Sequence, residues 1–270
     1  MENKKIIFNK SDPFLASVRQ RVEAYFTVNR LSSHATWSIY LKSAVIFSAC
    51  LFIYLSLVFG WFPQIPRVVL WLLLGVSEAL FAVNVGHDAL HGAFSKFPTI
   101  NRILGFLAYD LIGLSSYVWK QTHNREHHTY TNITGVDPDI NKPVLLRLSP
   151  YDPHYKFHTF QHWYIWILYS FLTIDWVFVA DYVFIIKNLR GVGKKELFYF
   201  FLFKLINFGY MVVIPLLYSP MIWWEVAIGY LVAQLIAGLF VSVIFQLAHL
   251  VEGLKFPLPD ENGLLATSWA

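Results

Sequence analysis

Five of the ten histidines in this 270-residue chain fall in two short clusters, His87-Asp-Ala-Leu-His91 and His123-Asn-Arg-Glu-His127-His128. Histidines four apart on an α-helix share one face, so each pair can turn its imidazole nitrogens toward one point. On the same geometry His128 lies about 100° around the helix from His127, placed to serve a second metal or to complete the first site. A single histidine beside a hydrophobic run is an ordinary interfacial residue. Two clusters of this spacing are different, because several neutral imidazoles at a membrane boundary are costly unless something coordinates them. A set rich in imidazole and free of thiolate suits Fe, Zn, Cu or Ni rather than Mg or Ca. The single cysteine, Cys50, excludes an internal disulfide and any cysteine-based cluster. His-Glu-x-x-His is absent, because Glu126 directly precedes His127, and the zinc-protease signature therefore fails.

The elements that must position these side chains are apolar. Hydrophobic residues make up 56% of the chain and charged residues 14%, against about 25% charge in soluble domains. That balance argues against a soluble enzyme, a disordered segment or a disulfide scaffold. A membrane span needs about 20 mostly apolar residues, and four runs qualify: residues 43–62, 68–85 (interrupted by Glu78), 197–218 (with Lys204 and Pro215) and 226–248. Two further stretches are ambiguous. Residues 103–118 are short and hold Asp110, and residues 163–186 are long enough but hold Asp175 and Asp181. The first 30 residues are polar, with Lys4, Lys5, Lys10, Arg19, Arg21 and Arg30 and no apolar core. The first apolar run is therefore expected to be an uncleaved anchor.

Basic residues favour the cytoplasmic side. The amino-terminal segment and residues 187–195, with Lys187, Arg190, Lys194 and Lys195, carry them, whereas loop 63–67 holds one and turn 219–221 none. Four crossings put both basic segments in the cytoplasm. A fifth at 163–186 would put the second outside, so that stretch is expected to be an interfacial or cytoplasmic helix. Four crossings also bring a third histidine element, Phe245-Gln246-Leu-Ala-His249-Leu-Val-Glu252, to the same face as the two clusters. The expected fold is an all-α integral membrane protein with four transmembrane helices, interfacial helices and a cytoplasmic histidine-rich cap. Trp61, Trp71, Trp119, Trp163, Trp223 and Trp224 fit an interfacial belt. The net charge of +4 then reads as orientation and lipid contact, with no nucleic-acid partner.

HDALHGAF, HNREHHTYTN followed by GVDPDI, and FQLAHLVE together resemble the histidine boxes and flanks of the integral-membrane fatty acid desaturases, with the nearest likeness to the bacterial acyl-lipid and linoleoyl-CoA type. The resemblance runs from about His34 to the carboxyl end and implies one desaturase membrane domain over residues 1–270. It implies a non-haem di-iron centre, two Fe ions held by His87, His91, His123, His127, His128 and His249, on the cytoplasmic face of a bacterial inner membrane. That centre would use O2 and two electrons to remove two hydrogens from a fatty acyl chain carried on CoA or lipid. Asp88, Glu126, Asp137 and Asp139 are candidates to accept the second ring N–H of a ligating histidine, and Gln246 to hold a bridging water. No haem-binding His-Pro-Gly-Gly and no flavin or nicotinamide glycine motif occurs, so electrons are expected from a separate ferredoxin- or cytochrome-type protein. Family members carry a later Gln- or His-x-x-His-His box. The sequence shows none before Ser268-Trp269-Ala270, so a carboxyl-terminal truncation is expected. His154, His158 and His162, also spaced at four, match no box and are read as one polar face of the interfacial helix. The alternatives are a histidine-box hydroxylase or ketolase, and a non-catalytic zinc-binding membrane protein or transporter.

Overall fold

Long apolar runs cannot leave backbone polar groups unpaired in lipid, so they fold as helices. The computed structural model of the protein describes residues 6–8, 13–142 and 144–266. Its chain order is strand β1 (Ile7–Phe8), then helices α1 (Pro13–Val28), α2 (Trp37–Phe59), α3 (Arg67–Leu90), α4 (Pro98–Gly105), α5 (Ser116–Trp119), α6 (Gln161–Ser170), α7 (Leu172–Lys187), α8 (Lys194–Tyr218) and α9 (Trp223–His249), then strand β2 (Leu264–Leu265). Helices α2, α3, α8 and α9 are long and apolar enough to cross a membrane, and they coincide with the four runs read from the sequence. Exposed Phe52 on α2, Leu73 on α3, Leu205 on α8 and Leu231 on α9 give them apolar outer faces.

The chain divides into two compact units. The membrane unit comprises His34–Lys120 and His162–Val251; the polar unit comprises the described residues of Met1–Ser33, Gln121–Gln161 and Glu252–Ala270. In the polar unit β1 pairs in parallel with β2, Ile7 opposite Leu264 and Phe8 opposite Leu265.

Inside the membrane unit, α3 and α9 pack through small residues. A Cβ on Gly75 would lie 2.3 Å from the Ala233 carbonyl oxygen, and one on Gly229 would lie 2.0 Å from the indole nitrogen of Trp71. Trp71 fills that gap and is 1% exposed. It is therefore core, not belt. Trp119 is buried as well, whereas Trp61, Trp163, Trp223 and Trp224 are exposed as expected.

Residues 103–118 do not form one helix. Helix α4 runs into a π-helical turn at Phe106–Asp110 and a bend, and α5 starts at Ser116, whose N–H donates to Asp110 Oδ1 at 3.3 Å. The 163–186 stretch is broken too. The segment Lys156–Ser170 and α7 meet at 50°, and the pair passes for a fifth span only if counted as one bent segment. Helix α9 makes the break tolerable: Ser242 Oγ donates to the Tyr169 carbonyl at 3.1 Å and Thr173 Oγ1 donates to the Gln234 carbonyl at 2.6 Å. Asp181 is buried against Lys204 of α8, whose ammonium donates to Asp181 Oδ2 (2.9 Å), the Gly113 carbonyl (2.7 Å) and the Val177 carbonyl (2.8 Å). All three ammonium protons thus have acceptors, which is how a lysine persists inside a span. Glu78, also inside a span, is buried on α3 at 3% exposure.

Candidate metal centre

In the membrane unit, the last turns of α3 are π-helical over Ala82–Gly86, immediately before His87. The widened turn forms where Gly86 meets the Tyr109 ring; a Cβ there would lie 2.5 Å from Cε2. It re-aims the His87–Leu90 turn that follows. His87 and His91 then face each other edge-on with ring centroids 4.5 Å apart, and both pack on Trp119 at 5.6 and 5.4 Å. Trp119 in turn rests on Tyr109. His249, at the end of α9, reaches the same neighbourhood through Phe245, whose ring is 6.1 Å from His87 and 5.8 Å from His249. His249 Nδ1 lies 2.8 Å from the Phe245 carbonyl oxygen. Because a carbonyl only accepts, Nδ1 carries the proton and Nε2 keeps the lone pair that could coordinate a metal.

In the polar unit, Lys120–His127 closes as a π-helix, and the His128 N–H bonds the His123 carbonyl five residues back at 3.0 Å. This corrects the α-helical expectation for His128. In an i→i+5 turn, residues five apart come nearly over one another, so His128 stands with His123, from which an α-helix would turn it about 140°. Their Nε2 atoms are 3.2 Å apart, and the His123 and His127 rings stack at 5.1 Å. Two imidazole nitrogens on one first-row metal, each about 2.0–2.1 Å from it and about 100° apart, would be separated by about this distance. The donor chemistry and spacing fit a metal.

Asp137 organises the opposite ring edge. It is wholly buried, and its carboxylate accepts from His127 Nδ1 (2.9 and 3.1 Å), the Asn132 N–H (2.7 Å) and the Asp139 N–H (2.9 Å). Asp139 Oδ2 lies 3.4 Å from Nδ1 of both His123 and His127. His127, Asp137 and Asp139 thus bring one ligand-type atom each within 4.8 Å of one another. The carboxylates face the Nδ1 edges, which is the arrangement that holds ligating imidazoles in one tautomer and orientation. Burial disfavours protonated His127, but the Asp137 hydrogen bond and the charges of Asp139 and Asp137 outweigh it and raise its pKa. Burial alone would raise Asp139; the His123 hydrogen bond, Lys142 and the two imidazoles reverse that and hold it at about 2.

The remaining sequence candidates are less engaged. Asp88 Oδ1 is 3.6 Å from His87 Nδ1, beyond hydrogen-bond length, and Glu126 is exposed. Gln246 is half-buried one turn before His249 on α9. His154, His158 and His162 do not share a helical face: His154 precedes a 3₁₀ turn (Lys156–Phe160) that holds His158, and His162 lies in α6. His158 has both ring nitrogens occupied, Nδ1 accepting the Tyr155 N–H at 3.1 Å and Nε2 donating to the Val144 carbonyl at 2.8 Å. Sequence reasoning missed Trp119, Phe245 and Asn132. No local signal marked Trp119, because it meets His87 and His91 from about thirty residues further along the chain.

The family model for fatty acid desaturases matches residues 63–269. The chain is 38% identical to the sn-1 linoleoyl-lipid 6-desaturase of Synechocystis sp., over 98% of this chain and 76% of that protein. It is 34% identical to the sn-1 linoleoyl-lipid 6-desaturase of Arthrospira platensis, over 98% and 73%. An acyl-lipid (8-3)-desaturase of Physcomitrium patens is 32% identical over 97% of this chain and 56% of its own length. No solved structure matches. With a family match that runs through both histidine clusters and His249, the chain belongs to the fatty acid desaturase family.

Proposed function

We propose that this protein is an oxidoreductase that desaturates fatty acyl chains at a di-iron centre, with His87, His91, His123, His127, His128 and His249 as the iron ligands. The observation that carries the reading is the polar-unit geometry: His123 and His128 converge through Nε2 while buried Asp137 holds His127 by its other nitrogen. Bound there, iron would supply the O2-dependent oxidation that removes two hydrogens from an unactivated methylene pair, a step no amino-acid side chain can perform. The chain's own residues supply position and orientation. Asp137, Asp139 and the Phe245 carbonyl hold the Nδ1 protons in place. Trp119, buried and packed on His87 and His91, sets the orientation of the membrane-unit pair. Phe81, Ala82, Val85 and Ala89 form a packed apolar core beside that pair, which holds the end of α3 in place.

The relatives' names support a lipid-linked acyl substrate, and we extend that to this chain. Residues 1–270 would act as one desaturase domain in a bacterial inner membrane with the histidines on the cytoplasmic face. Exposed Lys187, Arg190, Lys194 and Lys195 would meet anionic lipid and an acidic ferredoxin- or cytochrome-type electron donor.

The test is metal analysis of the purified protein together with product mass. Iron at about two per chain and acyl products lighter by two hydrogens support the proposal. One zinc and no iron refutes it, and products heavier by one oxygen assign the hydroxylase chemistry instead.

A further inference from the structure

Helix α1, in the polar unit, runs for 16 residues and buries none of them. A helix of that length is marginal by itself in water and normally gains its stability by packing an amphipathic face. α1 has such a face. At about 100° per residue, Phe14, Tyr25, Val18, Val22, Leu15 and Phe26 follow one another around an arc of about 120°. Phe14, Tyr25, Val18 and Val22 are exposed, and Leu15 and Phe26, at one edge, are half-buried. Gln20 stands opposite the middle of the arc, with Ser17, Thr27 and Glu23 on the same polar side. An exposed apolar stripe bordered by polar residues marks an interaction surface.

The charges identify what covers it. Arg21 lies about 20° outside one edge of the arc and Arg19 about 20° outside the other. Both are exposed, and neither makes an ion pair among the described residues. On a bilayer, arginines so placed lay their stems along the apolar stripe and lift both guanidinium groups to the phosphate plane. Glu23, the one acidic residue of the helix, is kept to the polar side. The covalent chain supplies proximity. Residues 29–36 link α1 to α2, a helix long and apolar enough to cross the membrane, and they reach at most about 28 Å. The stripe is thus tethered within range of the bilayer face at which α2 enters. We propose that α1 lies along that face, with its stripe of Phe14, Val18, Val22 and Tyr25 in the boundary between head groups and acyl chains. Arg19 and Arg21 then meet the phosphates of anionic lipids. The contact holds the polar unit, with His123, His127 and His128, at the membrane surface, and it does not depend on the chemistry assigned to those histidines.

The test uses the full chain in lipid nanodiscs, with a nitroxide on a single cysteine introduced in a Cys50→Ser background. Immersion is read from relaxation of the nitroxide by O2 against a water-soluble nickel chelate. In discs that mix phosphatidylcholine and phosphatidylglycerol, labels at Val18→Cys and Val22→Cys should be immersed, while labels at Gln20→Cys and Thr27→Cys should stay in water. Arg19→Gln and Arg21→Gln should each lower the ratio of immersed to free helix about fivefold, the factor that one basic residue near an anionic surface contributes. Leaving out phosphatidylglycerol should lower it at least as much as both substitutions together. Equal immersion at positions 20 and 22 in the mixed discs would overturn the proposal, and so would an immersed fraction that ignores phosphatidylglycerol. Spin–spin broadening at position 22 that disappears on dilution with unlabelled chain would assign the stripe to a second copy and overturn it too. Thermal melting checks the fold of each variant. The comparison of lipids needs neither arginine variant, so it decides the matter if one of them does not fold.

Discussion

Replacing Asp137 by asparagine tests whether the buried carboxylate tunes the histidine centre. Oδ1 serves His127 and the Asp139 N–H; Oδ2 serves His127 and the Asn132 N–H. An amide of the same shape has one acceptor oxygen, so either orientation turns an NH2 group toward a backbone N–H. One of Asn132 or Asp139 must lose its acceptor. With the residue 0% exposed, that leaves a buried donor unsatisfied, at about 1–3 kcal/mol. The second effect falls on His127, whose Nδ1–H loses a charged acceptor. Losing such an outer partner typically costs about 10–100-fold in metal affinity or activity, or about 1.4–2.7 kcal/mol. Iron per chain should be measured by mass spectrometry against a graded chelator, alongside acyl product, for wild type, Asp137→Asn and Asp137→Glu. Glutamate should not rescue, since the site has no room for another methylene. Asp139→Asn should cost less, because Asp139 is partly exposed and only 3.4 Å from the two imidazoles. If folded Asp137→Asn holds iron within twofold of wild type, the proposed role of Asp137 is wrong.

Three further outcomes follow from the same reasoning. His158→Ala should leave iron content and product unchanged, because both His158 nitrogens serve the loop and the 3₁₀ turn; a loss of iron would place it in the centre. Lys204→Met should destabilise the membrane unit by about 3–5 kcal/mol by stranding Asp181, read as a shift in a detergent unfolding titration. Adding Asp181→Asn should recover part of that loss, and additive costs would show that the pair is not coupled. In a Cys50→Ser background, cysteine placed at Lys194 should react with an impermeant reagent from the cytoplasmic side alone; labelling from the opposite side would overturn the four-span topology.

What was legible in the sequence was whatever depends on neighbours along the chain. The four spans were readable because crossing hydrocarbon needs an unbroken apolar run, and that requirement is local. The two histidine clusters were readable for the same reason. The bend between α6 and α7 was not, because its freed carbonyl is met by Ser242, seventy-three residues away. Nor was the fate of Trp71, which resembles an interfacial tryptophan until Gly229 of another helix vacates the space it fills.

The sequence by itself determined a membrane-embedded helical protein with imidazole donors at fixed intervals, because composition and periodicity suffice for both. Only the tertiary structure decided how those imidazoles are aimed. A π-helical turn instead of an α-helical one changes which residues stand over one another, and it brings His128 to His123. The Asp137 carboxylate reaches His127 across ten residues of loop, and Trp119 backs His87 from a different segment. A ligand's identity is written in the chain; its tautomer, direction and support come from residues that meet it only after the chain has folded.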